Sequence, residues 1–264
     1  MTAPKKSLGQ HWLNDLQAID HMVAAGQVAA GDNVLEIGPG LGVLTEVMLA
    51  SGASVYAVEF DRDLYEQMKQ EVSSLYTADA TRLTLYNEDI LDFDLDQLPA
   101  GYKVVANIPY YITAPIIRTL LEAKNTPQHI ALLVQKEVAE RVCAKPGKMS
   151  ILAVSAQFYA ECKLAEVVPA RAFHPAPKVD SQILIMTPRK VPLFTDIDNA
   201  RFFRVVKAGF SEKRKKLSNS LSGGLGMEKS EVAKILEDLG FSSNVRAQEL
   251  TLEQWYELYK KLQI

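Results

Sequence analysis

Between residues 33 and 135, short apolar runs rich in branched side chains alternate with stretches of helical periodicity. Nothing else in the chain constrains its fold so tightly. Residues 34–37 form an apolar run that ends in glycines, and a helical stretch follows around 44–50. Residues 54–59 make the next strand, followed by a helix from about 62 to 73. Residues 82–86, 103–106 and 129–134 read as three more strands, with a helix after Thr113. Strands separated by helices of this length build βαβ units and a parallel sheet covered on both faces. Residues 163–168 and 182–186 resemble a closing pair of strands, antiparallel at the sheet edge. The expected fold class is α/β: a doubly wound, mostly parallel, Rossmann-like sheet over residues 1–188.

After Thr187 the pattern changes. Two prolines and a basic pair in Pro188-Arg189-Lys190-Val191-Pro192 read as a linker. Beyond it only helical periodicity appears, at about 198–210, 213–221, 228–239 and 251–262. Residues 189–264 are therefore expected to form a small C-terminal all-helical domain. A chain of 264 residues accommodates a large domain with such a companion.

Composition narrows the function classes. An apolar fraction of 48% with 23% charged residues is ordinary for a soluble protein. No apolar run reaches membrane-crossing length, and residues 1–7 lack the apolar core of a signal peptide. Cys143 and Cys162 are isolated and read as reduced thiols of a cytoplasmic protein. The four histidines (His11, His21, His129, His174) are scattered, so no metal centre is expected. The net charge of −3 argues against a nucleic-acid partner, but its distribution does not. From Arg189 onward there are 14 Lys and Arg against 10 Asp and Glu, whereas residues 1–188 carry a net −7. That asymmetry is a hint of an anionic partner at the C-terminal end.

Glu36-Ile37-Gly38-Pro39-Gly40-Leu41-Gly42 closes the first strand. Glycines such as Gly38 and Gly40 let the backbone turn sharply and let a ligand come close. Doubly wound sheets bind ligands beside such turns, at the carboxyl ends of their strands. Glu59 ends the second strand, placed to accept hydrogen bonds from both ribose hydroxyls of a nucleoside. The spacing Gly-x-Gly-x-Gly, with Pro39 inside, departs from the dinucleotide fingerprint that seats a pyrophosphate. S-adenosyl-L-methionine carries no phosphate and does not require that anion site. After the third strand, Asp89 could accept a hydrogen bond from an adenine amine.

Asn107-Ile108-Pro109-Tyr110 follows the fourth strand. The lone pair of an exocyclic purine amine is delocalised into the ring, so the nitrogen is a poor nucleophile. The Asn107 amide oxygen and the Ile108 carbonyl can accept its two N–H bonds and favour pyramidal geometry. Pro109 stiffens the backbone and biases Ile108 toward an extended conformation, aiming that carbonyl. Tyr110 offers a face on which an unpaired base can stack. Methyl transfer here needs positioning and charge stabilisation rather than a strong base.

These motifs occur in the order of one family, together with Gln10-His11-Trp12-Leu13, the segment 173–181 (Phe-His-Pro-Ala-Pro-Lys-Val-Asp-Ser) and the segment 210–217. Across essentially its whole length the chain resembles the KsgA-type ribosomal RNA adenine dimethyltransferases, whose catalytic domains are class I methyltransferase folds. The resemblance implies dimethylation of N6 on two adjacent adenosines near the 3′ end of small-subunit ribosomal RNA, within a pre-ribosomal particle, by a monomer. It implies cofactor contacts at His11, Leu13, Gly38, Glu59, Asp89 and Asn107. Asn107 and Tyr110 would hold the target base, and Phe173 would pack against its other face. Lys178 and the run Lys213-Arg214-Lys215-Lys216, expected to be helical, would meet RNA phosphates. The family usually reads Gln-Asn-Phe-Leu where this chain has Gln10-His11-Trp12-Leu13. His11 is larger than Asn and can still donate a hydrogen bond.

Two other functions share these features. The antibiotic-resistance type methylates an adenosine in large-subunit ribosomal RNA and carries the same tetrad. Tyr111-Ile112-Thr113 and Lys178-Val179-Asp180-Ser181 resemble the small-subunit type more closely. The other possibility is a non-catalytic factor in ribosome assembly or transcription built on the same fold.

Overall fold

The computed structural model describes residues 4–5, 8–75, 80–212 and 214–262. In chain order it contains β1 (Trp12–Leu13), α1 (Leu16–Ala25), β2 (Asn33–Ile37), α2 (Val43–Ala50), β3 (Ser54–Val58), α3 (Arg62–Leu75), β4 (Leu83–Tyr86) and β5 (Lys103–Asn107). Next come α4 (Thr113–Glu122), β6 (His129–Gln135), α5 (Lys136–Val142), α6 (Ile151–Tyr159), β7 (Ala160–Val168), β8 (Phe173–His174) and β9 (Ser181–Pro188). Four helices end the chain: α7 (Asn199–Gly209), α8 (Leu217–Leu225), α9 (Lys229–Asp238) and α10 (Leu252–Leu262). The chain divides into two compact units, residues 1–139 with 160–188, and residues 140–159 with 189–264.

The first unit is a seven-stranded sheet in the order β4-β3-β2-β5-β6-β9-β7. Its first five strands are parallel, and β9 runs antiparallel to both β6 and β7. Strands buried on both faces read as continuous apolar runs. In β6, accordingly, residues 129–134 are all buried and only Gln135 is half-buried. Val34, Val55, Val105, Ala131 and Leu133 pack with Met22 of α1 and Met48 and Leu49 of α2 in one core cluster. Each of these valine, leucine and methionine side chains contributes about 1.5–3 kcal/mol on burial. Asp15 starts α1 by accepting hydrogen bonds from the backbone N–H groups of Gln17 and Ala18, an N-cap worth about 1 kcal/mol.

The topology fixes where a ligand can bind. From β2 the chain steps to β3 and β4 at one edge, then returns to β5 on the other side of β2. The carboxyl ends of β2 and β5 therefore flank the switch point, where open α/β sheets leave a crevice. A separate two-stranded pairing sets Trp12 opposite His174 and Leu13 opposite Phe173. It ties the N-terminal segment to the loop before β9.

The second unit is helical, and it includes residues 140–159, which precede the boundary expected at residue 188. Helix α6 joins it because the buried side chains of Ala153, Val154 and Phe158 belong to the same core cluster as Phe202, Val206 and Trp255. The Phe158 ring stacks on Phe202 at 5.0 Å and meets Phe203 edge-on at 5.2 Å. Gly209 is needed where it stands, since a Cβ there would lie 2.4 Å from Trp255 Cη2. Counted over its sequence, this unit has 17 Lys and Arg against 11 Asp and Glu, a net of +6. The charge asymmetry is thus larger than a boundary at residue 188 suggested.

The described residues of the basic run, Arg214, Lys215 and Lys216, precede α8 and are not helical. Residues 210–212 and Arg214 lie in turns, Lys215 in a bend, and Lys216 is the extended N-cap of α8 (φ −62°, ψ 146°), while Lys213 lies outside the described residues. The helix begins only at Leu217, whose backbone N–H donates to the Val245 carbonyl. That bond fixes the start of α8 where periodicity alone had run the helix through the lysines.

Candidate active site

A cavity of about 200 Å³ opens at the carboxyl ends of β2, β3 and β5. His11, Leu13, Gly38, Gly40, Glu59, Asp89 and the whole tetrad Asn107, Ile108, Pro109 and Tyr110 line it. The fold thus brings together segments up to about a hundred residues apart in sequence.

The turn after β2 requires its glycines. Gly38 has φ +66° and Gly40 has φ +60°, a region costing about 1–2 kcal/mol for other residues. A Cβ built on Gly38 meets nothing within 4 Å and would project into open space. The Gly40 N–H donates to Glu59 Oε2 at 3.2 Å, and the Asp61 N–H donates to Glu59 Oε1 at 2.8 Å. Each carboxylate oxygen retains a second lone pair for another donor. Burial raises the Glu59 carboxyl above its ordinary range, although these backbone bonds oppose the shift. Asn87 ties the end of β4 to this corner by donating to the Glu59 carbonyl at 2.8 Å. Asp89, half-buried, accepts from the Leu91 N–H through Oδ1.

At the other side of the switch point, Asn107 Nδ2 lies 3.1 Å from the His11 carbonyl oxygen. A carbonyl only accepts, so this contact orients the Asn107 amide and turns Oδ1 away as an acceptor. His11 Nδ1 lies 2.6 Å from the Pro175 carbonyl oxygen. For the same reason Nδ1 carries the proton, and Nε2 of the neutral ring is an acceptor. The sequence reading expected His11 to donate to a ligand; its Nδ1–H is instead taken by Pro175. The His11 and Tyr110 rings lie nearly parallel, 5.8 Å apart with 21° between their planes. The Tyr110 hydroxyl is hydrogen-bonded to Ser181 Oγ at 2.6 Å. Burial pushes the Tyr110 phenol up, and the Ser181 bond only partly offsets this.

Phe173, expected to pack against the target base, stands apart from the cavity wall. Only 4% exposed, it packs in the core cluster with Leu13, Val168 and Ala172 instead of lining the cavity. Its pairing with Leu13 in the β1–β8 register turns the ring inward. Lys178, Arg214, Lys215 and Lys216 are exposed and are not part of the cavity wall. Lys215 is ion-paired with Glu212.

Sequence reasoning missed three further features. Glu36 is 1% exposed on the cavity wall, where Thr45 Oγ1 donates to its Oε2 at 2.5 Å. Burial, reinforced by the nearby Glu59 charge and opposed by the Thr45 bond, pushes its carboxyl up to about 8. Gln10 anchors the N-terminal segment by donating to Asp61 at 3.0 Å, and Lys5 pairs with Asp61 and Asp63 at 2.7 Å each. Burial alone would raise the Asp61 carboxyl, but the Lys5 and Gln10 bonds hold it below its usual range. Phe60, next to Glu59, is 59% exposed at the cavity mouth. The signal available in the sequence was its place directly after Glu59, at the carboxyl end of the second strand.

The family model described as ribosomal RNA adenine dimethylase matches residues 1–263. A protein of Dehalococcoides mccartyi named ribosomal RNA small subunit methyltransferase A is 37% identical over 257 residues, covering 96% of this chain and 87% of its own length. One of the same name from Rippkaea orientalis is 40% identical over 269 residues, covering 97% of this chain and 96% of its own. Among solved structures, a dimethyladenosine transferase from Plasmodium falciparum superposes with a TM-score of 0.79 at 24% identity, over 95% of this chain and 98% of its own. The 23S rRNA methyltransferase ErmE superposes with a TM-score of 0.75 at 26% identity, over 96% of this chain and 100% of its own. With a family match along its whole length and relatives at 37–40% identity, the chain belongs to the ribosomal RNA adenine dimethylase family.

Proposed function

We propose that the cavity binds S-adenosyl-L-methionine and that the protein methylates N6 of two adjacent adenosines near the 3′ end of small-subunit (16S) ribosomal RNA, giving N6,N6-dimethyladenosine. In this reading it acts as a cytoplasmic monomer on RNA within a pre-ribosomal particle, as a step in small-subunit biogenesis. The carrying observation is that the Asn107–Tyr110 tetrad and the Glu59 corner line one cavity at the sheet's switch point.

The residues suit a nucleoside cofactor. The open space beside Gly38 leaves room for a ligand against the backbone. The Glu59 oxygens would accept the ribose hydroxyls, Asp89 the adenine amine, and exposed Phe60 would cover the adenine ring. Leu13 and Gly40 would complete the wall, and the His11 carbonyl would act through Asn107. When bound, the cofactor supplies an electrophilic methyl group on sulfur for in-line displacement. Asn107 Oδ1 and the Ile108 carbonyl would accept the N–H bonds of the target amine, concentrating its lone pair on nitrogen. Pro109 fixes the carbonyl's direction, and Tyr110 supplies the stacking face. Removing one such polar contact typically costs about 10²–10³ in rate. Exposed Lys178, Arg214, Lys215 and Lys216, with Lys213, would meet phosphates and set orientation without reading sequence.

The rival substrate is large-subunit RNA, favoured by the likeness to ErmE. The small-subunit reading is preferred because the relatives at 37–40% identity carry that name. Dimethylation removes both N6 donors and blocks Watson–Crick pairing, so primer extension on both RNAs distinguishes the two. A new stop near the 3′ end of the small-subunit RNA is expected. A stop in the large-subunit RNA with an unchanged small subunit overturns the assignment. Binding to small subunits without transfer of labelled methyl would instead make this a non-catalytic assembly factor.

A further inference from the structure

The segment Lys178-Val179-Asp180-Ser181 distinguishes the chain's motif pattern, yet none of these residues lines the cavity. Ser181 nevertheless reaches the site through a hydrogen bond to Tyr110, and Asp180 braces the loop that carries it. Asp180 is pinned on both sides: its Oδ1 accepts from the Ala170 N–H at 2.9 Å, and its carbonyl accepts from the Lys136 N–H at 3.0 Å. Ser181 follows as the first residue of β9, fully buried, opposite Gln135 of β6 and Val168 of β7. Its Oγ is the atom that holds the Tyr110 hydroxyl at 2.6 Å. The same ring lies against His11 on one side. Tyr110 is thus held at its hydroxyl and along one face, and it still contributes to the cavity wall.

We infer that Ser181 is a positioning residue for methyl transfer, fixing the plane of the Tyr110 ring so that a stacked adenine presents its amine at a set angle. This deepens the proposed function and rests on it for the identity of the stacked base. It also gives the Tyr110 hydroxyl a defined use. With its hydrogen bond committed to a buried serine, the hydroxyl serves to orient the ring, and the ring serves the base. Asp180 keeps Ser181 in place by closing the loop before β9. A loosened ring would leave phosphate-driven binding unchanged while reducing the fraction of bound bases in reactive geometry.

The test is a double-mutant cycle on the full chain with unmethylated small subunits as substrate, using Ser181→Ala, Tyr110→Phe and the pair. A net hydrogen bond of this kind limits the expected loss to about tenfold in kcat. Ser181→Ala should show that loss with KM within about twofold of the parent, and Tyr110→Phe should match it. Adding Ser181→Ala to Tyr110→Phe should cost nothing further. Additive losses, a change confined to KM, or no loss in either single variant overturns the inference. Melting midpoints of all four proteins are measured alongside; a kcat loss in Ser181→Ala that persists undiminished in the Tyr110→Phe background is the signature of a merely structural role. A readout free of RNA keeps this separate from the choice of substrate. In protein labelled with 3-fluorotyrosine, the Tyr110 fluorine resonance, assigned by its absence from Tyr110→Phe, should shift and change linewidth in Ser181→Ala. An unchanged resonance contradicts the clamp even if the enzyme proves to methylate small-subunit RNA. A shifted resonance supports it even if another RNA is the substrate.

Discussion

Glu36→Gln makes a quantitative test of the cavity's electrostatics. Glu36 is buried, its carboxyl raised to about 8, first by burial and then by the Glu59 charge. An unfolded-state carboxyl titrates at its ordinary value of 4.5. Below that pH the group is protonated in both states and contributes no pH dependence. Between about 4.5 and 8 the unfolded chain releases the proton while the folded protein keeps it, so stability falls as pH rises. The slope is about 1.4 kcal/mol per pH unit, and the full interval corresponds to at most about 5 kcal/mol. Above 8 both states are ionised and the loss is complete. Glutamine copies the protonated acid, can accept the Thr45 hydroxyl hydrogen, and does not titrate. Urea unfolding followed by circular dichroism should therefore show the variant gaining on the parent steadily from pH 5 to pH 8. The difference should level off above that range. A constant offset between the two proteins across this range would refute a neutral buried Glu36.

Three further outcomes follow from the site. Glu59→Gln leaves the backbone donors of Gly40 and Asp61 facing a neutral amide and should weaken cofactor binding about 10–100-fold by calorimetry, the range of charge-assisted hydrogen bonds. His11→Asn should keep or strengthen cofactor binding, because the Asn107 anchor is the His11 backbone carbonyl, which the change retains; abolished binding in the same calorimetric experiment contradicts this. Gly38→Ala forces a side chain into φ +66°, so thermal unfolding should report a loss of about 1–2 kcal/mol, and the added methyl should also reduce cofactor affinity.

The strand–helix rhythm of residues 33–135 was legible because parallel strands are apolar on both faces and leave an uninterrupted signal. The tetrad and the glycine turn were legible because each sits directly after a strand, where topology alone carries it to the switch point. What stayed hidden depends on register and on partners distant in sequence. Phe173 reads equally well as a base-facing or a core residue, and only its pairing with Leu13 sends it inward. The basic residues 213–216 have helical periodicity, but the bond from the Leu217 N–H to the Val245 carbonyl starts the helix after them. Helix α6 lies among residues of the sheet domain in sequence, and its affiliation is decided by the aromatic cluster around Phe158 and Phe202. Glu36 looked like part of a turn motif, since nothing in the sequence shows that its carboxyl will be buried against a threonine hydroxyl.

The most direct test of the proposed function is mass mapping of nucleosides after incubating unmethylated small subunits with isotopically labelled S-adenosyl-L-methionine and either the parent protein or Asn107→Ala. With the parent, label is expected in N6,N6-dimethyladenosine at two adjacent positions near the 3′ end of the small-subunit RNA. With Asn107→Ala, incorporation should fall at least about 100-fold while subunit binding is retained. Label in large-subunit RNA alone, or equal incorporation by both proteins, would contradict it.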